Sequence, residues 1–199
     1  MENLKGLKVA ILVTDGFEQV ELTEPRKALD PAGADTKVVS PKNDRVRGCK
    51  FTEWGDELAV DVPLEQAHAN NFDALLLPGG VINPDKLRME PKAISFVKSF
   101  FDDGKPVAAI CHGSSTIIEA GVARGKHIAS WPSLKTDLRN AGVEWVDTRS
   151  CCRAPEVRHA FHCGCFGAAG FALEAFCGSI RCNVNSCVSS FCTARTNAL

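Results

Sequence analysis

The apolar and polar positions change rhythm repeatedly along the chain, and the changes predict alternating strands and helices. Residues 7–13 (LKVAILV) are a short apolar, β-branched run, the pattern of a buried strand. Thr14-Asp15-Gly16-Phe17 is turn chemistry, and a helix is expected over about 18–30, with Pro25 early enough to be tolerated. Asp35–Ser40 reads as a second strand closed by Pro41. Residues 42–62 are polar with β-like pieces (VRGCKF, ELAVDV), a hairpin excursion, and Pro63–Asn70 predicts a short helix. Asp73–Leu77 is a strand ending in Pro78-Gly79-Gly80. Glu90–Asp103 puts Ala93, Ile94, Phe96, Val97, Phe100 and Phe101 on one helical face, with Gly104 as its stop. Pro106–Ile110 is another buried strand, running through Cys111-His112-Gly113 into a small-residue helix over 113–120 that ends at Gly121. His127–Ser130 predicts a strand, Pro132–Ala141 a helix with Pro at its start and Gly142 beyond its end, and Val143–Val146 a last strand. Strand and helix in alternation give an α/β fold with a mostly parallel central sheet and helices on both faces. No internal repeat and no linker precede residue 147.

Composition supports one globular unit and then divides it. The chain has 199 residues, a formal net charge of −1, 45% hydrophobic and 24% charged residues, enough for a full core and too apolar for general disorder. That balance leaves no electrostatic footprint for nucleic acid. No apolar run reaches the roughly 18 residues of a membrane helix, and Met1–Gly6 lacks the apolar stretch of a signal peptide. The expectation is a soluble, cytoplasmic protein. Of ten cysteines, only Cys49 and Cys111 precede residue 150; the rest are Cys151, Cys152, Cys163, Cys165, Cys177, Cys182, Cys187 and Cys192. Residues 148–199 carry five Arg, two Glu, no Lys and no Asp, hence +3, which leaves −4 for residues 1–147.

In an open α/β sheet, chemistry gathers beyond the C-terminal ends of the strands. Three such loops carry candidate residues: Asp15 to Glu21, Pro78-Gly79-Gly80, and Ala109 to Gly113. Cys111 lies between a buried strand and a helix start, the setting of a nucleophile elbow, with Gly113 permitting the sharp turn. A thiol there feels the positive end of the helix dipole, which favours thiolate; alternatively it is only a small buried hydrophobe. The N–H of His112 with an N–H from Gly79 or Gly80 forms a candidate oxyanion hole. His112 is a candidate general base or substrate-orienting group, or simply a helix-start histidine. Glu21, more than Glu18, is a candidate for hydrogen-bonding the sulfur and setting its pKa and oxidation behaviour; a first-turn acid favouring the dipole is the plainer reading. Asp85 is a candidate for polarising His112, within the chain or across a subunit boundary, or a solvated loop acid. These residues require no cofactor and no metal.

Five stretches, KVAILVTDGFEQVEL, FDALLLPGG, GKPVAAICHG, AGVARGK and the run through NAGVEWVD, are collinear and make residues 7–147 resemble the PfpI family of the class I glutamine amidotransferase-like superfamily (the DJ-1/PfpI group). The resemblance implies a flavodoxin-like three-layer α/β/α sandwich and a reactive cysteine at Cys111, supported by Glu21 and followed by His112. In the peptidase-like branch that histidine pairs with an acid from a neighbouring subunit, and Asp85 is the nearest match. A second branch places a histidine where this chain has Trp131, which assigns the chain to the PfpI-like branch. The implied activities are peptidase, glyoxalase and deglycase action on small carbonyl compounds or modified proteins and peptides, and, as the non-enzymatic alternative, redox sensing or chaperoning through oxidation of Cys111. A homodimer or hexamer is the implied assembly. A true glutaminase is disfavoured, since none of the five histidines has an acid two residues on.

The resemblance ends at Asp147, and residues 148–199 form an atypical Cys-rich tail. His159, His162, Cys163 and Cys165 invite a metal reading, but paired C-x-x-C knuckles are absent. A disulfide module is disfavoured in a reducing compartment. The five-residue spacing of Cys177, Cys182, Cys187 and Cys192 suits neither a helix face nor a strand face. Translation out of frame accounts for the abrupt compositional change and is the leading reading, with a genuine extension as the alternative.

Overall fold

A computed structural model of the chain describes residues 4–146 and the backbone of residues 159–162. The readings of the tail as frameshifted, metal-binding or cross-linked otherwise concern residues outside those described.

Five of the predicted apolar runs form or flank the parallel sheet. Strands β1 (Lys8–Leu12), β3 (Asp35–Ser40), β7 (Ala74–Leu77) and β8 (Val107–Ile110) make its centre, with β6 (Val62–Pro63) and β11 (His159–His162) at its edges. The order is β11-β8-β7-β1-β3-β6, and every pairing is parallel. Successive side chains point to opposite faces, so the continuous apolar runs feed two cores. Ala10, Leu12, Leu75, Leu77, Val107 and Ala109 face α3 (Pro91–Asp102) and α4 (Ser114–Glu119), where Phe96, Val97, Phe100 and Ile117 are buried. Val9, Ile11, Val38, Ala74, Leu76, Ala108 and Ile110 face α1 (Val20–Leu29), with Phe17, Leu22 and Leu29. The result is the flavodoxin-like α/β/α sandwich, and Cys111 belongs to the α1-side core.

Several elements differ from the sequence pattern. The first helix starts at Val20, because Phe17 and Glu18 form strand β2, paired with Gly48 and Cys49 of β4 (Arg45–Lys50). β4 turns back antiparallel onto β5 (Glu53–Ala59), the expected hairpin. Residues 63–70 make two 3-10 turns, Leu64–Gln66 and Ala69–Asn71, because Ala67 and His68 between them are extended. A short helix, α2 (Ile82–Leu87), was not legible beneath its Asn and Pro. The helix predicted over 113–120 is a 3-10 turn, Cys111–Gly113, leading into α4, and that over 132–141 is a turn, Pro132–Leu134, leading into α5 (Lys135–Asn140). The strands expected at 127–130 and 143–146 shrink to β9 (His127–Ile128) and β10 (Glu144–Trp145), which pair with each other outside the central sheet. No described helix is long and apolar enough to cross a membrane.

Strand order determines where a site forms. From β1 the chain moves outward one way through β3 to β6, and the other way through β7, β8 and β11. The reversal lies between β1 and β7, and the crevice beyond the strand ends opens there.

Candidate active site

Cys111 follows β8 directly and has φ of 55°, one of two positive-φ residues other than glycine among the described residues. A bulky residue in this region costs about 1–3 kcal/mol, held by the surrounding packing. The strain follows from the glycines opposite it. A side chain at Gly79 would stand 2.6 Å from the Ile110 carbonyl and 2.7 Å from the His112 nitrogen, and one at Gly113 would stand 2.4 Å from the Leu77 carbonyl. The β7 and β8 loops therefore touch backbone to backbone, and Cys111 is pressed out of the strand line into the crevice.

One buried side chain binds the crevice together. Asn83, fully buried on α2, accepts the Thr14 N–H at 2.7 Å and donates to the Pro78 and Gly79 carbonyls at 2.9 and 3.2 Å. It joins the loop after β1 to the loop after β7. Nothing in an N-P-D run distinguishes this asparagine from a turn former, so sequence reasoning passed over it. Asn83→Ala strands the Thr14 N–H and the Pro78 carbonyl, while the Gly79 carbonyl keeps the Glu18 N–H at 3.4 Å, and is expected to cost roughly 2–3 kcal/mol; an unchanged urea midpoint would contradict the assignment.

Glu21, in the first turn of α1, is buried against Cys111. Its Oε2 accepts the Gly79 N–H at 2.7 Å, and its carboxyl hydrogen-bonds the Cys111 sulfur. Burial pushes its pKa up to about 7, with the charge of Glu18 adding to the rise and the Gly79 N–H and Cys111 opposing it. Gly79 therefore has its N–H committed to Glu21. The N–H groups directed at the sulfur are those of Gly80 and His112.

Burial acts against the helix-dipole expectation of a Cys111 thiolate. Burial, and then the charge of Glu21, push the thiol pKa well up, outweighing the His112 and Gly80 N–H groups. The helix beyond, α4, has only six residues and is separated from the cysteine by the 3-10 turn. A protonated thiol needs a base to become a nucleophile.

A candidate base is adjacent. His112 Nδ1 lies 3.2 Å from Cys111 Sγ, and burial lowers the histidine pKa, keeping the ring neutral. Its Nε2 lies 3.1 Å from the Ser133 hydroxyl, and its ring stacks on Trp131 at 6.1 Å between centroids and 29° between planes. The Trp131 N–H donates to the Cys111 carbonyl at 3.2 Å. Ser133 went unread in the sequence, since it follows a tryptophan and a proline in a stretch that scored only as a helix start. Asp85 is not brought to His112 within the chain: it is exposed in the first turn of α2, and both ring nitrogens of His112 have other neighbours.

These groups open into a cavity of about 450 Å³ lined by Glu18, Glu21, Cys49, Phe51, Gly80, Val81, Ile82, Cys111, His112 and Trp131. Cys49 faces the same space, but burial and the Glu18 charge raise its thiol pKa. Among the described residues no His, Cys, Asp and Glu group is arranged to hold a metal ion.

Comparison with known proteins agrees with this arrangement. A deglycase of Pyrococcus abyssi is 43% identical over 141 residues, covering 71% of this chain and 82% of its own. General stress protein 18 of Bacillus subtilis is 39% identical over 143 residues, covering 71% and 81%. A solved two-domain protein of Anabaena variabilis, with DJ-1/ThiJ/PfpI-like and ferritin-like domains, superposes with a TM-score of 0.76 at 29% identity, over 89% of this chain and 48% of that one. Drosophila melanogaster DJ-1beta superposes at 0.74 over 92% of this chain and 90% of its own, at 23% identity, which speaks for the fold alone. The sequence profile of the DJ-1/PfpI family matches residues 7–159, past the limit of 147 read from the motifs and as far as the first residue of β11. With the crevice, the strained cysteine and the profile in agreement, the chain belongs to the DJ-1/PfpI family.

Proposed function

We propose that the protein is a cysteine-dependent hydrolase of carbonyl substrates, of deglycase or glyoxalase type, with Cys111 as nucleophile. The observation that carries this reading is the 3.2 Å contact between Cys111 Sγ and a neutral His112 at the floor of an accessible cavity. His112 takes the thiol proton as sulfur attacks an aldehyde carbon, so the thiolate forms only when it is consumed. The new oxyanion receives the Gly80 and His112 N–H groups that face the sulfur. Glu21, with a pKa near 7, both gives and takes protons at working pH. For methylglyoxal the aldehyde carbon is oxidised and the adjacent ketone reduced within one molecule, so addition of water gives lactate without an external redox partner. Relatives from Pyrococcus abyssi, Pyrococcus horikoshii and Pyrococcus furiosus are named deglycases.

Incubating the protein with methylglyoxal, and with methylglyoxal-treated arginine peptides, tests the proposal. Lactate release and recovery of unmodified peptide are expected. Absence of both, with casein cleaved instead, would move the assignment to a peptidase using the same residues.

A redox role is favoured by one observation, the hydrogen bond between the Cys111 sulfur and the Glu21 carboxyl. A protonated Glu21 would stabilise an oxidised, anionic Cys111. In that case mild peroxide oxidises Cys111 selectively and no carbonyl turnover is seen.

A further inference from the structure

We propose that Glu18 sets the charge class of substrate that the crevice admits: uncharged or cationic carbonyl compounds enter, and carboxylate-bearing ones are turned away. The inference deepens the reading above by naming a substrate class, and rests on that reading for the reaction.

The backbone of Glu18 lies against the floor of the crevice. Its N–H donates to the Gly79 carbonyl at 3.4 Å, and a side chain at Gly80 would stand 2.7 Å from the same nitrogen. β2 pairs Glu18 with Cys49 of β4, which fixes it from the other side. Its side chain reaches the turn between β4 and β5, where Oε2 accepts the Phe51 N–H at 3.2 Å. Phe51 is held at φ of 61° and is largely exposed. The carboxylate is thus pinned by a backbone N–H between the crevice floor and an exposed tip. Its charge is felt by Glu21 and Cys49, which line the same cavity.

Among the described residues, nothing in the lining answers that charge. Beside the reacting groups the walls are two acids, Glu18 and Glu21, and the apolar side chains of Phe51, Val81, Ile82 and Trp131, with no Lys and no Arg. Cations stand outside. Lys42 is tied to Asp15, and Arg47 donates to the Gly55 carbonyl with its guanidinium over Trp54. Lys86 is exposed on α2, and its charge reaches Asp15 and Cys49. A cleft lined by one sign of charge, with low-dielectric walls, concentrates the field inside it. An anion entering this one loses water and gains no partner. An ammonium or guanidinium meets a carboxylate and aromatic side chains.

Iodoacetamide and iodoacetate differ in charge and little in size. The ratio of their rates at Cys111 therefore reads the field at the sulfur and cancels the ionisation of the thiol itself. The full chain is used at pH 8 in its native assembly, with Cys111 followed by peptide mass spectrometry. The wild type is expected to favour iodoacetamide more than the small thiol N-acetylcysteinamide does. Glu18→Gln keeps an oxygen for the Phe51 N–H and is expected to lower the ratio about fivefold, the order of one charge acting across a partly solvated cleft. Added salt is expected to lower the wild-type ratio. Glu24→Gln, removing an acid on α1 that pairs with Lys27, is expected to leave the ratio unchanged. Charges that a second copy brings to the mouth are common to all three proteins and drop out of the comparison. An unchanged ratio in Glu18→Gln, or an equal fall in Glu24→Gln, would overturn the proposal. In turnover, the wild type is expected to prefer phenylglyoxal to para-carboxyphenylglyoxal in kcat/KM, and Glu18→Gln to narrow that preference by the same factor, chiefly through KM. Equal wild-type kcat/KM for the two aldehydes would likewise overturn it. If the alkylation ratios behave as expected and neither aldehyde is converted, charge selection stands and the assigned reaction fails.

Discussion

Cys111→Ala is expected to reduce methylglyoxal turnover by about 10³-fold or more, to the rate in buffer, because it removes the atom that bonds to substrate. The same change is expected to leave the fold intact. Alanine keeps the positive φ and therefore the strain of the elbow, and it vacates a small volume beside a cavity that already admits solvent. A stability change within about 1 kcal/mol is expected, measured by urea unfolding in parallel with lactate release. Cys49→Ala is the companion measurement. Cys49 lines the same cavity, but its thiol pKa is raised by burial and by the Glu18 carboxylate, which oppose ionisation. Turnover that survives Cys111→Ala and falls with Cys49→Ala would transfer the chemistry to β4. Turnover that survives both would end the cysteine-dependent reading.

The distinction between these two cysteines shows what the sequence made legible. Cys111 was identifiable because a buried run, PVAAI, ended against a Gly-containing turn, and only a strand at the centre of a parallel sheet has that pattern. Glu21 was identifiable by its place at the start of the first helix, after the loop that follows β1 and borders the crevice. What remained hidden depends on contacts made after folding. Whether Gly79 or Gly80 directs its N–H to the sulfur turns on a single peptide orientation, and the buried Glu21 carboxyl takes the Gly79 N–H. Ser133 and Trp131 reach His112 only because β9 leaves the central sheet and the following turn folds over the cysteine. Asn83 has the residue type of a surface turn and the burial of a core leucine. Short strands were the least legible elements: β2, β9 and β10 are two residues long, too short for any periodicity to register.

Glu21→Gln is expected to stabilise the protein at pH 8 and to leave it nearly unchanged at pH 4.5. In the folded chain Glu21 has a pKa of about 7 against an ordinary 4.5, chiefly because burial disfavours its charge. Below pH 4.5 the carboxyl is protonated in both states and contributes nothing. Between pH 4.5 and 7 the unfolded chain has released this proton and the folded chain retains it, so stability falls as pH rises. Above pH 7 the folded state carries the buried charge at full cost, on the order of 3 kcal/mol from the size of the shift. Glutamine has no charge to bury, its oxygen still accepts the Gly79 N–H, and its amide donates toward Sγ. Its removal of the negative charge also eases ionisation of Cys111, which that charge opposes. Iodoacetamide should therefore alkylate Cys111 of the variant faster at pH 8, even as turnover declines for want of a group that can give and take a proton near pH 7. Thermal melts at the two pH values read the stability arm. A variant less stable than wild type at pH 8 would mean that the ionised carboxylate, through Gly79 and the sulfur, holds the crevice together more strongly than its burial opposes it.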